Sequence, residues 1–189
     1  MPKLTRDDIS NFFNFNISIP GKVLYIGEPD GTEHTMAESV LKGLTILDSI
    51  NQCKKLTIYM NNPGGDEYHG LAIYDAIASC RSKTVVRVFG HAMSMGAWIL
   101  QAADVRLMSH NSTLMLHYGS ASFDGHNKNL DRAAKESERL NTLMEDHLLE
   151  RIKEKHPRYT REALQELIKY DRYLSASEAV EIGLADKVV

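Results

Sequence analysis

A β-branched run, Thr84-Val85-Val86-Arg87-Val88-Phe89, empties directly into small residues, Gly90-His91-Ala92-Met93-Ser94-Met95-Gly96-Ala97, and this junction constrains the fold more than any other part of the chain. β-Branched and aromatic side chains favour a strand over 84–89, whereas residues 95–103 are helix formers. A strand that turns into a helix through glycine and alanine brings backbone close to backbone, as α/β architectures require. Ser94 stands at or near the helix start, where unpaired N–H groups and the positive end of the helix dipole favour negative charge developing on an oxygen. The same residues also suit plain helix–strand packing, with Ser94 as an ordinary cap.

Strand signals recur at 23–26 and 56–60 and alternate with helical patterns, which predicts an α/β fold of parallel strands joined by crossover helices. Thr35-x-x-Glu38 reads as a capping box opening a helix to residue 50, with Val40, Leu44 and Leu47 on one buried stripe. Residues 70–82 form the next crossover, and Ser175-x-x-Glu178 caps a last helix ended by Gly183. Residues 127–156 predict a long amphipathic helix with Leu130, Ala133, Ser137, Leu140, Met144 and Leu148 on one face. Lys128, Asp131, Lys135, Glu138, Arg139 and Glu145 lie on the other face and read as solvated surface. No linker, repeat or low-complexity tract divides the chain, so one domain over residues 1–189 is expected.

Two further segments bear on chemistry. His117 closes the short apolar strand 113–116, and Asp171 lies in Tyr170-Asp171-Arg172-Tyr173-Leu174-Ser175-Ala176 between two helical stretches. With Ser94 they supply a hydroxyl, an imidazole and a carboxylate in the chain order Ser, His, Asp, and such sets are recognised by role rather than by order. Asn61-Asn62-Pro63-Gly64-Gly65 adds a loop whose paired glycines can turn N–H groups toward a ligand. His91, three residues before Ser94, rivals His117 as a base, and His69 near the glycine pair could touch substrate. His34, His126, His147 and His156 read as surface residues. No His-Glu-x-x-His or cysteine–histidine cluster suggests a metal site.

At this point the chain resembles a known family, the proteolytic subunits of the ATP-dependent Clp protease (ClpP). The resemblance runs from about Val23 to Val189 and rests on three motifs in order. These are Asn-x-Pro-Gly-Gly at 61–65, Ala-x-Ser-Met-Gly-Ala around Ser94, and Asp-Arg-Tyr-Leu-Ser-Ala from Asp171, followed by Glu178-Ala179-Val180 and Gly183-Leu184. It implies a ClpP/crotonase-type fold of repeated strand–helix units with a protruding handle helix in the region 118–158. It also implies Ser94 as nucleophile, His117 as base, Asp171 as its orienting acid, and oxyanion-hole N–H groups on Gly65 and Met95.

The implied function is a serine endopeptidase cleaving unfolded polypeptides and short peptides inside a homo-oligomer of two stacked seven-membered rings. No cofactor is expected on this chain, which lacks a phosphate-binding loop of the Gly-x₄-Gly-Lys-Ser/Thr kind; ATP would be used by a Clp-type AAA+ unfoldase partner. The resemblance further implies aromatic residues on the strand before Asn-x-Pro-Gly-Gly as part of an unfoldase pocket, where Tyr59 keeps one and Thr57 replaces the other. His91, Met93 and Tyr118-Gly119 depart from the family pattern, which fits a divergent or phage-encoded member.

Two alternatives stay open on the residues alone. One is a crotonase-type acyl-CoA enzyme, which would leave Ser94, His117 and Asp171 without a joint role; the other is a catalytically silent ring subunit. A formal net charge of −3 gives no basic footprint for nucleic acid. No apolar run reaches membrane-spanning length and no signal-peptide core is evident, so a cytoplasmic location is expected. Cys53 and Cys80 form no close-spaced pair and read as reduced, packed thiols.

Overall fold

The computed structural model describes residues 4–27, 31–51, 55–119 and 126–189. The elements in chain order are α1 (Arg6–Phe15), β1 (Ile17–Ser18), β2 (Val23–Gly27), α2 (His34–Asn51), β3 (Leu56–Asn62), α3 (Glu67–Ala78), β4 (Thr84–Met93), α4 (Met95–Leu100), β5 (Val105–Met108), β6 (Thr113–Leu116), a 3₁₀ turn (Asn127–Asn129), α5 (Leu130–Lys155), α6 (Arg161–Ile168), β7 (Arg172–Ser175), α7 (Ala176–Ile182) and β8 (Lys187–Val188). The sheet runs β1-β2-β3-β4-β5-β8, with β6 on β4 and β7 on β6. The pairs from β2 to β8 are parallel, as strands joined by helical crossovers require, while β1–β2 and β6–β7 are antiparallel.

The longest strand, β4, changes neighbour partway along. Val85 to Val88 pair with β5, and beyond Gly90, whose φ is +67°, His91 to Met93 pair with β6. A Cβ at residue 90 would approach Asn61 Oδ1 to 2.5 Å, so the bend needs glycine. This fork leads β4 out of the main sheet and toward β6, where His117 follows.

The core lies between the sheet and its helices: Leu24, Ile26, Ile58, Met60, Val86 and Val88 from the strands meet Val40, Leu47, Ile73, Ile99 and Leu100 from the helices, all fully buried. The stripe Val40, Leu44, Leu47 is buried as its spacing predicts.

The element starts differ from expectation in two places. Helix α2 begins at His34, so Thr35 lies inside its first turn rather than capping it. Helix α3 begins at Glu67, three residues before Gly70, because Asp66 accepts the His69 N–H at 2.9 Å and serves as its cap. The box at Ser175 and Glu178 and the left-handed Gly183 terminate α7 as the sequence predicts. Cys53 lies outside the described residues; Cys80 is partly buried, and burial pushes its thiol up to about 11. Among the described residues no helix is long and apolar enough to cross a membrane.

Helix α5, with 26 residues at 1.5 Å each, is about 39 Å long. From Leu140 onward it packs on the body through Leu140, Met144, Leu148 and Ile152, whereas Leu130 at its start is 51% exposed. The apolar stripe therefore outruns the body that could cover it.

Candidate active site

The junction between β4 and α4 is a backbone-to-backbone packing problem solved by small residues. Ala92 and Ala97 are fully buried, and a Cβ on Gly96 would stand 2.7 Å from the Asn62 carbonyl oxygen. Gly64, at φ +100°, leaves no room for a Cβ, which would meet Ser94 Cβ at 2.8 Å and Met93 O at 2.9 Å. Between these crowded strands Ser94 adopts φ 52° and ψ −122°, a conformation costly for a residue with a Cβ. Its N–H donates to Met115 O at 2.9 Å, tying the turn to β6. The hydroxyl makes no capping bond, so the reading of Ser94 as an ordinary cap does not hold. Ser94 Oγ lies instead 2.8 Å from His117 Nε2.

Asp171 is brought to the far side of that imidazole by strand register. Leu116 on β6 pairs with Arg172 on β7, so His117 and Asp171 are each one step beyond the same rung. Asp171 Oδ1 is 3.3 Å from His117 Nδ1, with the aspartate side chain 58% exposed and the histidine 27%. The three predicted residues thus form one series of hydroxyl, imidazole and carboxylate. His91, the rival, stands on β4 in register with Thr113, and the imidazole within hydrogen-bond reach of Ser94 is that of His117.

The 61–65 loop is braced by groups the sequence reading did not single out. Buried Asn62 accepts the Gly64 N–H through Oδ1 at 2.8 Å, an Asx turn, and the Thr32 hydroxyl at 3.1 Å. Thr32 N–H donates to Gly64 O and Asp66 N–H to Thr32 O, a bridge that leaves the Gly65 N–H outside it. Met95 is the first helical residue of α4, whose N–H has no intrahelical acceptor. Gly65, Ser94, Met95 and His117 border a cavity of about 370 Å³ whose other walls include Trp98 and Met144.

Two readings of the surrounding shell need correction. His147 is not a surface residue: Trp98 Nε1–H donates to its Nδ1 at 2.8 Å, its ring stacks on Tyr74 at 4.4 Å, and burial holds its imidazole below the usual histidine range. Glu145 is not part of a solvated face, being 5% exposed. It accepts from Tyr118 Oη at 2.6 Å, Arg161 Nη1 at 2.7 Å and Gln165 Nε2 at 3.2 Å. Burial and then this carboxylate push the Tyr118 phenol up to about 12. In both cases helical periodicity alone was misleading, because a second layer, α3 for His147 and α6 for Glu145, covers that side of α5. Among the described residues no group of three or more His, Cys, Asp and Glu side chains could hold a metal ion.

A cavity beside an aligned hydroxyl, imidazole and carboxylate on an α/β scaffold defines a hydrolase-type site. The sequence from residue 22 to 189 matches the family model described as Clp protease. Over 170 residues it is 36% identical to the ATP-dependent Clp protease proteolytic subunit of Deinococcus radiodurans, covering 89% of this chain and 80% of that protein. The chain belongs to the Clp protease family, and it is a protease. Neither the acyl-CoA enzyme nor the silent subunit is favoured by these matches.

Proposed function

We propose that the chain is a serine-type endopeptidase in which Ser94 is the nucleophile, His117 the general base and Asp171 its orienting acid, all within one domain. The 2.8 Å approach of Ser94 Oγ to His117 Nε2 carries this reading. His117 takes the hydroxyl proton as Ser94 attacks a peptide carbonyl, and Asp171 fixes the imidazole tautomer that makes this possible. The negative oxygen of the tetrahedral intermediate is met by the Gly65 and Met95 N–H groups, each worth a factor of ~10²–10³ in rate. His117 then returns the proton to the leaving amine, and water hydrolyses the acyl-enzyme by the same route.

By family, the working unit is a ring-type homo-oligomer, two stacked seven-membered rings, with α5 as the handle between them. The half-bare stripe at the start of α5 supports that assignment. Polypeptides are delivered by a Clp-type AAA+ unfoldase, which uses the ATP, so this chain needs no cofactor of its own; the location is cytoplasmic. The unfoldase pocket is supported at a cavity of about 480 Å³ that includes Tyr59, Phe89, Tyr25, Phe12 and Phe13. Thr57 does not line it, so the aromatic area missing at that position is supplied by Tyr25 and by α1.

A fluorophosphonate probe tests the core of this proposal. The wild type labels on Ser94, while Ser94→Ala and His117→Ala lose labelling and lose peptide hydrolysis by about 10⁴–10⁶. Labelling that survives in Ser94→Ala, or that is lost only in a His91 variant, would overturn the assignment.

A further inference from the structure

The cavity beside Ser94 is bordered by two acidic residues, Asp66 and Glu67, and among the described residues no side chain neutralises Glu67. Glu67, the first residue of α3, lines it together with Asp66, Trp98, Met95 and Met144, and among the described residues no lysine or arginine does. Its carboxylate lies against Gly119, close enough that a Cβ there would overlap Glu67 Oε1. The neighbouring acids have partners: Asp66 caps α3 through the His69 N–H at 2.9 Å, and Glu136 is held by Arg139 at 2.7 Å and Tyr68 at 2.9 Å. Among the described residues Glu67 has neither a hydrogen bond nor an ion pair. Burial, then the charges of Asp66 and Glu136, hold its carboxyl above the usual range.

A half-buried, uncompensated acid is costly unless a ligand supplies the opposite charge. The remaining walls specify the rest of that ligand. Trp98, Met95 and Met144 are apolar and accept a methylene stem, and Glu67 accepts a cationic tip, which is the amphipathic profile of lysine or arginine. A wholly apolar side chain would fill the walls but strand the carboxylate. Because Gly65, Met95 and Ser94 border the same cavity, a carbonyl held for attack directs its own residue's side chain into it.

We propose that Glu67 makes this cleft selective for lysine or arginine at the residue whose carbonyl is attacked. The proposal rests on the serine-peptidase reading above.

Short peptides ending in an aminocoumarin amide test it, since only the residue before the scissile bond is varied among lysine, arginine, norleucine, leucine and glutamate. Norleucine matches the lysine stem without its charge. The assembled wild type is expected to favour lysine over norleucine in kcat/KM by about tenfold or more, as one specificity contact supplies. Glu67→Gln should bring that ratio toward one, and Glu67→Lys should move the preference to glutamate. A wild type that treats lysine and norleucine alike, or a lysine preference that survives in both variants, overturns the proposal. If no peptide is cleaved in a Ser94-dependent way, the peptidase reading fails and this proposal with it; Ser94-dependent cleavage without the charge preference overturns the proposal alone.

Discussion

Replacing Glu145 by alanine removes the acceptor for Tyr118, Arg161 and Gln165 at once, from a residue that is 5% exposed. A hydrogen bond to a charged group contributes about 1.5–3 kcal/mol, and breaking a fully buried ion pair costs about 3–5 kcal/mol. This pair falls short of that upper range. The Arg161 side chain is 36% exposed and keeps Asp146 as a second partner, so it is not stranded when Glu145 goes. Removing the carboxylate also relieves its own desolvation. The expected loss is therefore about 2–3 kcal/mol, above the roughly 0–1 kcal/mol of an exposed pair. For a chain of this size that corresponds to a fall in Tm of about 4–12 °C. Thermal and urea unfolding at one fixed protomer concentration measure it, since assembly makes Tm concentration-dependent. Combined with Tyr118→Phe, the loss should be smaller than the sum of the single losses by ~1 kcal/mol, because both variants delete the same contact. Tyr118 follows His117 directly, so kcat should fall in Glu145→Ala with little change in KM. A variant within about 0.5 kcal/mol of wild type would mean that Glu145 behaves as an ordinary solvated helix-face residue, and the buried network would be refuted.

Other outcomes follow from the same geometry. Because burial holds His147 below the usual histidine range, the unfolded chain takes up a proton there first, so this part of the stability is present above about pH 6.5 and lost as pH falls. The acid slope of unfolding free energy should be shallower in His147→Gln, and an unchanged slope would count against the buried imidazole. Leu130→Lys, at the uncovered start of α5, should give smaller particles with reduced activity by sedimentation and peptide assay. A fully active monomer would defeat the handle assignment. Gly96→Ala places a methyl 2.7 Å from the Asn62 carbonyl and should cost ~1–3 kcal/mol together with probe labelling at Ser94; full labelling would show that the turn tolerates expansion.

The parts of the site that were legible in the sequence are those fixed by local chemistry. Ser94 is marked by the small residues that its turn needs, His117 by the end of an apolar strand, and Gly64 and Gly65 by positive φ values that disfavour other residues. Strand alternation and capping motifs likewise gave the α/β order and the ends of α7. What escaped was set by long-range burial. Glu145, Glu67 and His147 look like ordinary residues of amphipathic helices, and only the positions of α6, Gly119 and Trp98 reveal what each one faces. The short strands β1, β5, β7 and β8 also escaped. Arg172 and Ser175 on β7 are exposed, so that strand carries little apolar signal and exists through its pairing with β6.

The β6–β7 ladder separates two kinds of evolutionary freedom. His117 and Asp171 are placed by the rung joining Leu116 to Arg172, not by the length of chain between them. Changes at the exposed start of α5, around Leu130, leave that rung where it is, so the surface proposed to meet other subunits can drift without moving His117 away from Asp171. A single-residue deletion inside either strand has the opposite effect, since a slip of one position turns alternate side chains to the other face. The fold can therefore take changes at that exposed end of α5, and must hold length constant over the eight residues of two short strands.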